Sequence, residues 1–233
     1  MGAHVAKDYT LTITFDKDAT SDILADMLDH RGYVVFPSWW CEDSLRQITD
    51  AFMNSPKWSL RSPGLRWCVN AEVNYDTNPI WARLHYGLPG ATLVSLSRRS
   101  GKALCVGIAG GDYADVNSNA QSLHTDYMGY DLRSMQYGYV LAVSIAVAPI
   151  GKEDAPIRIV PWSDKRGLEY PDFPQEDPEM AEMVTMQKGD ILIRDVRCPH
   201  GGCVNTSSNP RLLPSLQVFS HQCCRRCHRH AIL

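Results

Sequence analysis

The stretch Gly189-Asp-Ile-Leu-Ile-Arg-Asp-Val-Arg-Cys-Pro-His-Gly-Gly, residues 189–202, decides how this chain of 233 residues is interpreted. Its apolar, β-branched run predicts a buried strand over Asp190–Asp195. His200 follows that strand, and the glycines after it allow close backbone approach. A histidine at the end of a buried strand is a candidate metal ligand, while a buried histidine with one hydrogen bond is the other interpretation.

Working back from that stretch, His124-Thr-Asp126 forms an H-x-D triplet. Alternate side chains of a strand point to one face, so on a strand His124 and Asp126 can share a metal ion. Two imidazoles and one carboxylate bind non-haem Fe(II) and leave positions open for a chelating co-substrate and O2. The triplet alone is a weak signal that a polar pair on a surface strand also produces. Its coincidence with His200 and Arg211 favours the metal centre.

Working forward, Arg211 lies in Asn209-Pro-Arg-Leu-Leu-Pro-Ser-Leu-Gln, at the start of a predicted strand, Leu213–Ser220. A dicarboxylate that chelates iron at one end has a free carboxylate at the other. A guanidinium on a neighbouring strand can hold that carboxylate through a bidentate pair. A surface salt bridge is the alternative role for Arg211.

The rest of the chain predicts a mainly β protein with flanking helices. Ser21–Arg31 and Cys41–Met53 have helical spacing and enclose a strand that begins at Tyr33. Short β-rich runs separated by turn residues then follow: Thr92–Leu96, Ala103–Ile108, Tyr137–Val147, Ile157–Val160, Asp190–Asp195 and Leu213–Ser220. Such runs are typical of a sandwich or barrel. Pro171–Met180 is acidic and proline-rich and predicts a surface loop.

Composition predicts one soluble globular domain over residues 1–233, with a helical portion at about 20–55, a β core at about 91–220 and a basic tail at 221–233. The net charge of −3 shows no excess of basic residues, so binding to nucleic acid is not favoured. The longest apolar stretch, Val140–Ile150, is too short to cross a bilayer. Because no apolar leader is visible at the start of the chain, we expect a cytoplasmic protein with reduced thiols despite eight cysteines.

The C-terminal tail contains a second motif that could bind a metal ion. Cys224, Cys227 and His228, with Cys223 beside them, have zinc-like spacing. The sequence has no clear second Cys/His pair at finger spacing. A flexible basic tail is therefore favoured over a structural zinc site, which stays the alternative.

Four stretches together resemble the Fe(II)/2-oxoglutarate-dependent dioxygenases, and within them the phytanoyl-CoA dioxygenase-like family. The block at residues 189–202 is the most specific of them. The other three are Gly32-Tyr-Val-Val-Phe-Pro, Gln121-Ser-Leu-His-Thr-Asp and Asn209-Pro-Arg-Leu-Leu-Pro-Ser-Leu-Gln-Val. The resemblance runs from about residue 20 to 220 and implies a double-stranded β-helix core, which is a cupin-like jelly roll.

Carried over residue by residue, the resemblance implies Fe(II) on His124, Asp126 and His200. It implies that the distal carboxylate of 2-oxoglutarate binds Arg211 and that Gln121 contacts the same co-substrate. Arg197 matches a family position for which a structural role is expected. A contact from the Ser215 hydroxyl to the carboxylate is suggested only by its proximity to Arg211 in the sequence.

The implied activity is oxidation of a C–H bond with O2 and release of succinate and CO2, with hydroxylation as the default outcome. Asp126 argues against halogenation, because halogenases of the family replace that carboxylate. A small-molecule metabolite is the expected substrate, with Tyr127 and Tyr130 as pocket candidates because they follow the metal ligands. The alternatives are a protein side-chain hydroxylase and a cupin-like metal protein that does not use 2-oxoglutarate. The sequence indicates no oligomeric state.

Overall fold

The computed structural model describes residues 17–37, 40–54, 58–61, 65–71, 87–101, 103–126, 140–161 and 181–220. Its helices are α1 Lys17–Arg31, α2 Glu42–Met53 and α3 Gly87–Ser100. Its strands are β1 Tyr33–Phe36, β2 Trp58–Arg61, β3 Arg66–Ala71, β4 Leu104–Ala114, β5 Val140–Ile145, β6 Ile157–Ile159, β7 Glu182–Val184, β8 Ile191–Asp195, β9 His200–Gly202 and β10 Arg211–Ser220. No helix in these ranges is long and apolar enough to span a membrane.

The strands form two antiparallel sheets. The larger sheet has seven strands in the order β1-β8-β5-β10-β4-β3-β2, and the smaller has three in the order β7-β6-β9. Non-consecutive neighbours in both orders indicate the crossed connections of a jelly roll. The expected fold class, mainly β with flanking helices and a double-stranded β-helix core, is confirmed.

Alternation along the strands of the large sheet separates its two faces. On β8, Ile191 and Ile193 belong to the core cluster that also contains buried residues of the helices. Leu192 belongs to a second cluster, with residues of the small sheet such as Ile159. The next residue on that second face is Arg194, whose side chain lines the cavity described below. The helices therefore cover one face of the large sheet, and the other face carries the site.

The two predicted N-terminal helices are present, with one different boundary. α1 begins before Ser21, the predicted start, and ends at Arg31. The next residue, Gly32, has a φ of 76° and donates its N–H to the Leu28 carbonyl at 2.8 Å. This left-handed conformation suits glycine at a helix end. α2 matches its prediction, with Cys41 as the N-cap residue.

The predicted strand at Thr92–Leu96 is wrong, because these residues lie inside α3. Leu93 and Leu96 recur at helical spacing and pack in the same cluster as Leu24 and Leu28 of α1. A short apolar run does not by itself distinguish a buried strand from a buried helix. Its packing partners decide, and here the partner is another helix.

The predicted strand at Tyr33 is confirmed as β1, and the other predicted strands are confirmed as β4, β5, β6, β8 and β10, with shifted ends. Residues 137–139 of the predicted Tyr137–Val147 strand, the Pro171–Met180 loop and the Cys/His-rich tail lie outside the described residues. The short strands β2, β3, β7 and β9 were not predicted. β9 is the triplet His200-Gly-Gly, which has no strand propensity of its own and is extended because it pairs with β6.

Candidate metal centre and co-substrate cavity

His124 and His200 face each other across an isolated antiparallel bridge. Each residue donates its backbone N–H to the carbonyl of the other, at 2.9 Å in both directions. Directly opposed residues of an antiparallel pair project their side chains to one face. The two imidazole rings accordingly lie 4.6 Å apart between centroids, with their planes tilted by 46°. The bridge corrects the prediction of a strand over the H-x-D triplet, because only His124 is paired there.

Backbone carbonyls fix the orientation of both rings. The Nδ1 atom of His124 lies 2.9 Å from the Ser122 carbonyl oxygen, and Nδ1 of His200 lies 3.0 Å from that of Cys198. A histidine that donates Nδ1–H to a carbonyl, as the geometry of His124 allows, keeps its Nε2 lone pair for a metal ion. At His200, Nη1 of Arg194 also lies 3.1 Å from Nδ1. Both rings therefore present Nε2 to the same space.

Asp126 completes the group. Its Oδ1 atom lies 3.4 Å from Nε2 of His200 and 3.9 Å from Nε2 of His124. One ligand atom from each residue can be chosen so that all lie within 4.8 Å of one another. Ligand atoms that lie about 2.1 Å from one ion are at most about 4.2 Å apart, a limit that both distances from Oδ1 of Asp126 meet. Two imidazole nitrogens and one carboxylate oxygen are also the donor set of non-haem Fe(II), so the residues present fit that metal.

Arg194 holds the other oxygen of this carboxylate. Its Nη2 atom donates to Oδ2 of Asp126 at 2.7 Å, and its side chain is only 7% exposed. Burial acts to raise the pKa of Asp126, but the Arg194 guanidinium and the neighbouring His200 hold that pKa well below its usual range. The carboxylate is therefore ionised, with Oδ1 turned to the imidazoles.

The surroundings of His200 also favour metal binding, because they keep its imidazole neutral. Burial, together with the positive charge of Arg194, lowers the pKa of His200 to about 4. A metal ligand must be deprotonated, and a neutral imidazole beside an ionised carboxylate meets that need at neutral pH. Arg194 was not identified from the sequence. The only available signal was a charged residue inside an otherwise apolar strand.

A cavity of about 200 Å³ opens beside the three ligands. The two sheets both line it. Its lining residues are Cys68, Gly110, Gly111, Asp112, Gln121, His124, Asp126, Ala142, Ser144, Ile157, Arg194, His200, Gly202, Leu213, Ser215 and Gln217. Gln121 and Ser215, predicted from the sequence to meet a co-substrate, are among them.

Arg211 lies on the cavity face of β10 although its atoms do not line the cavity. Leu213, Ser215 and Gln217 line the cavity. Arg211 lies two residues before Leu213, and alternate residues of a strand share a face, so Arg211 is on the same face. Its side chain is 1% exposed and forms an ion pair with Asp112, which does line the cavity. The structure therefore brings a carboxylate to the predicted carboxylate anchor, which the sequence did not indicate.

Gln121 joins the H-x-D segment to β9. Its backbone N–H donates to the Gly202 carbonyl at 2.9 Å, and its side-chain Oε1 accepts from the Gly202 N–H at 3.0 Å. Arg197 forms a bidentate pair with Asp195 across the turn before His200, at 2.9 and 2.6 Å. Tyr127 and Tyr130, the predicted pocket residues, lie outside the described residues.

Comparison with known proteins agrees with this geometry. The profile of the phytanoyl-CoA dioxygenase (PhyH) family matches residues 112–213, a span that includes the three candidate ligands and Arg211. Over this span the chain is similar to the phytanoyl-CoA dioxygenase family. The resemblance that the sequence suggested, and the class of Fe(II)/2-oxoglutarate-dependent dioxygenase that it implied, are confirmed. A sequence comparison with curated proteins gives no match.

Solved structures share the phytanoyl-CoA dioxygenase-like fold at low sequence identity. The α-ketoglutarate-dependent epimerase SnoN from nogalamycin biosynthesis is 17% identical, with a TM-score of 0.66 over 87% of this chain and 83% of that one. The carbocyclase SnoK from the same biosynthesis is 17% identical, with a TM-score of 0.68 over 84% and 83%. HygX from Streptomyces hygroscopicus, with nickel and 2-oxoglutarate bound, is 16% identical, with a TM-score of 0.64 over 84% and 85%.

Proposed function

We propose that this chain oxidises a C–H bond of a small-molecule metabolite, using Fe(II) held by His124, Asp126 and His200 with 2-oxoglutarate and O2 as co-substrates. The observation that carries the proposal is the convergence of these three side chains at the wall of a cavity, with two Nε2 atoms around Oδ1 of Asp126. Bound Fe(II) and 2-oxoglutarate would supply the oxidising chemistry, with release of succinate and CO2.

The protein's own part is to set geometry and charge before any ligand arrives. The His124–His200 bridge fixes the distance between the imidazoles, and the carbonyls of Ser122 and Cys198 fix their rotation. Arg194 occupies Oδ2 of Asp126, which leaves Oδ1 for the metal. A carboxylate that binds through one oxygen uses one coordination position, so more positions remain for the co-substrate and O2.

We further propose that Arg211 receives the distal carboxylate of 2-oxoglutarate, with Ser215 and Gln121 contacting the same molecule. Arg211 and Ser215 share one face of β10, and both Ser215 and Gln121 line the cavity that holds the candidate ligands. A guanidinium orients a carboxylate as well as attracting it, because its N–H groups match the two oxygens.

Hydroxylation of a small molecule is the outcome that we propose as the default. SnoN has been solved with nogalamycin RO and HygX with hygromycin B, which supports a small-molecule substrate. SnoN and SnoK are described as an epimerase and a carbocyclase, so this fold also serves other outcomes. Tyr127 and Tyr130 remain our candidates for the substrate pocket. A cytoplasmic location is also proposed, supported by free thiols on Cys41, Cys68, Cys198 and Cys203.

A spectroscopic experiment tests the metal and co-substrate parts together. Anaerobic addition of Fe(II) and 2-oxoglutarate should give a weak visible charge-transfer band, and His200→Ala should remove it. The exposed His30 at the end of α1 provides a matched control, because His30→Ala should leave the band intact. An unchanged spectrum for the original protein would contradict the proposal.

Turnover then separates the oxygenase from a cupin-like metal protein. Succinate release, screened over a panel of metabolites, should identify a substrate class, and the product's mass should distinguish hydroxylation from epimerisation or ring closure. Arg211→Ala should abolish turnover of 2-oxoglutarate. Arg46→Ala, which removes an exposed arginine of α2, should not. Equal turnover in both variants would favour a protein whose metal chemistry does not use 2-oxoglutarate.

A further inference from the structure

Arg194 is a charged residue within a buried strand. Every residue of β8, from Ile191 to Asp195, is buried, and Arg194 is the only basic residue among them. Its side chain is 7% exposed and lies on the cavity face of the sheet. Burying a guanidinium is costly, so its positive charge at this position calls for a role.

The guanidinium contacts two of the three candidate metal ligands. Its Nη2 atom donates to Oδ2 of Asp126 at 2.7 Å, and its Nη1 atom lies 3.1 Å from Nδ1 of His200. The atoms of these ligands that approach each other are Oδ1 and Nε2, so Arg194 contacts each ligand on its other side. Its charge is therefore separated from the metal position by a single side chain on each route.

The charge of Arg194 has one partner. In the described part of the chain, Asp126 is the carboxylate with which Arg194 forms an ion pair. The adjacent Asp195 pairs with Arg197 instead. When a metal ion takes Oδ1 of Asp126, one negative charge serves two cations, and the guanidinium adds a positive charge to the surroundings of the ion.

Orientation of Asp126 does not by itself require that charge, because a neutral N–H or O–H group can also donate to a carboxylate oxygen. What a charge adds is discrimination between oxidation states. Coulomb energy scales with the product of the charges, so a fixed positive charge repels a trivalent ion more strongly than a divalent ion at the same position. Screening by salt is weak for a buried group such as Arg194.

We propose that Arg194 keeps bound iron in the Fe(II) state by raising the reduction potential of the Fe(III)/Fe(II) couple. The inference rests on the proposed function and adds to it a positioning residue that acts through Asp126 and His200. In this couple Fe(III) gains one electron, and Arg194 neither makes nor breaks a bond. Fe(II) is the state in which the proposed activity begins, so loss of the charge should leave more of the bound iron inactive.

The test is a potentiometric titration of the iron-loaded protein without 2-oxoglutarate, in which the EPR signal of high-spin Fe(III) reports the oxidised fraction. Arg194→Met removes the charge and should raise the ratio of Fe(III) affinity to Fe(II) affinity by about tenfold or more. A tenfold change corresponds to about 59 mV for a one-electron couple, so the midpoint potential should fall by about that amount or more.

Two further variants separate charge from hydrogen bonding. Arg194→Lys keeps the charge and should keep the midpoint potential of the original protein. Arg194→Gln keeps an N–H donor without the charge and should match Arg194→Met. A residue that only orients Asp126 would affect Fe(II) and Fe(III) binding together, which leaves the potential unchanged. Arg46→Met, which removes an exposed arginine of α2, is the control and should have the original potential.

Two failures are distinguishable. If the original protein gives no Fe(III) signal that His200→Ala removes, the proposed metal centre fails, and this inference fails with it. If that signal is present but Arg194→Met and Arg194→Gln have the midpoint potential of Arg46→Met, iron binds as proposed and only the role of Arg194 is overturned. Arg194→Gln decides alone should Arg194→Met not fold.

Discussion

His124 and His200 donate their backbone N–H groups to each other's carbonyl oxygens, at 2.9 Å in both directions. This reciprocal pair ties two segments that are distant in sequence, and it brings their imidazoles together without a metal ion. A site assembled by backbone hydrogen bonds loses little freedom when the metal binds. Metal loading should therefore stabilise the native protein rather than fold it.

We expect Ni(II), at about 100 times its dissociation constant, to raise the free energy of unfolding by about 2.7 kcal/mol. His200→Ala should abolish this stabilisation because it removes a ligand from the group formed with His124 and Asp126. Urea unfolding with metal and with chelator measures the difference. His30→Ala should retain the full effect, and a metal response that survives in His200→Ala would place the ion elsewhere.

The metal-free protein should lose stability as pH falls from about 6.5 to about 4. Burial lowers the pKa of His200 to about 4, whereas an unfolded histidine titrates near 6.5, so only the unfolded chain takes up this proton in that window. The contribution is fully present above about pH 6.5 and falls by about 3 kcal/mol across the window. Urea unfolding of the original protein and of His200→Gln at each pH isolates it. If the difference in the free energy of unfolding between the two proteins were the same at every pH, the lowered pKa assigned to His200 would be wrong.

Arg194→Met should lower the free energy of unfolding of the metal-free protein by about 2 kcal/mol, because it removes a charge-assisted hydrogen bond to Asp126 from a nearly buried site. Arg194→Lys should recover part of the loss, since it keeps the charge. Arg46→Met breaks an exposed pair on α2 and should cost under about 0.5 kcal/mol. Equal losses for the two methionine variants would mean that Arg194 does not hold the carboxylate.

Gly201→Ala should weaken both the fold and the metal site. An added Cβ would lie 2.9 Å from the Gln121 carbonyl oxygen and 3.0 Å from that of Ser122, so β9 would have to move away from the segment that carries His124. We expect a loss of about 1–3 kcal/mol in stability and about tenfold in Ni(II) affinity. Gly151→Ala meets only the Asp154 side chain, at 3.2 Å, and serves as the control. Unaltered Ni(II) affinity in Gly201→Ala would contradict the role given to the bridge.

The elements that were predicted correctly are determined by sequence patterns only a few residues long. Strands β8 and β10 follow from apolar and β-branched runs, and α2 follows from helical spacing between Leu45, Ile48 and Phe52. The prediction at Thr92–Leu96 was wrong because the same local pattern suits a helix, and only packing against α1 decides between the two. β9 was missed because its pairing partner, not its composition, makes it extended.

The sequence by itself predicted the residues of the candidate site: two histidines, an aspartate and an arginine, in three short stretches that together resemble one family. These are fixed by residue type and short spacing, which require no knowledge of distant contacts. Only the tertiary structure decided that Arg194 holds Asp126 and that Asp112 joins Arg66 to Arg211. Such pairs depend on strand register and on which face a side chain takes, and both are set by long-range pairing.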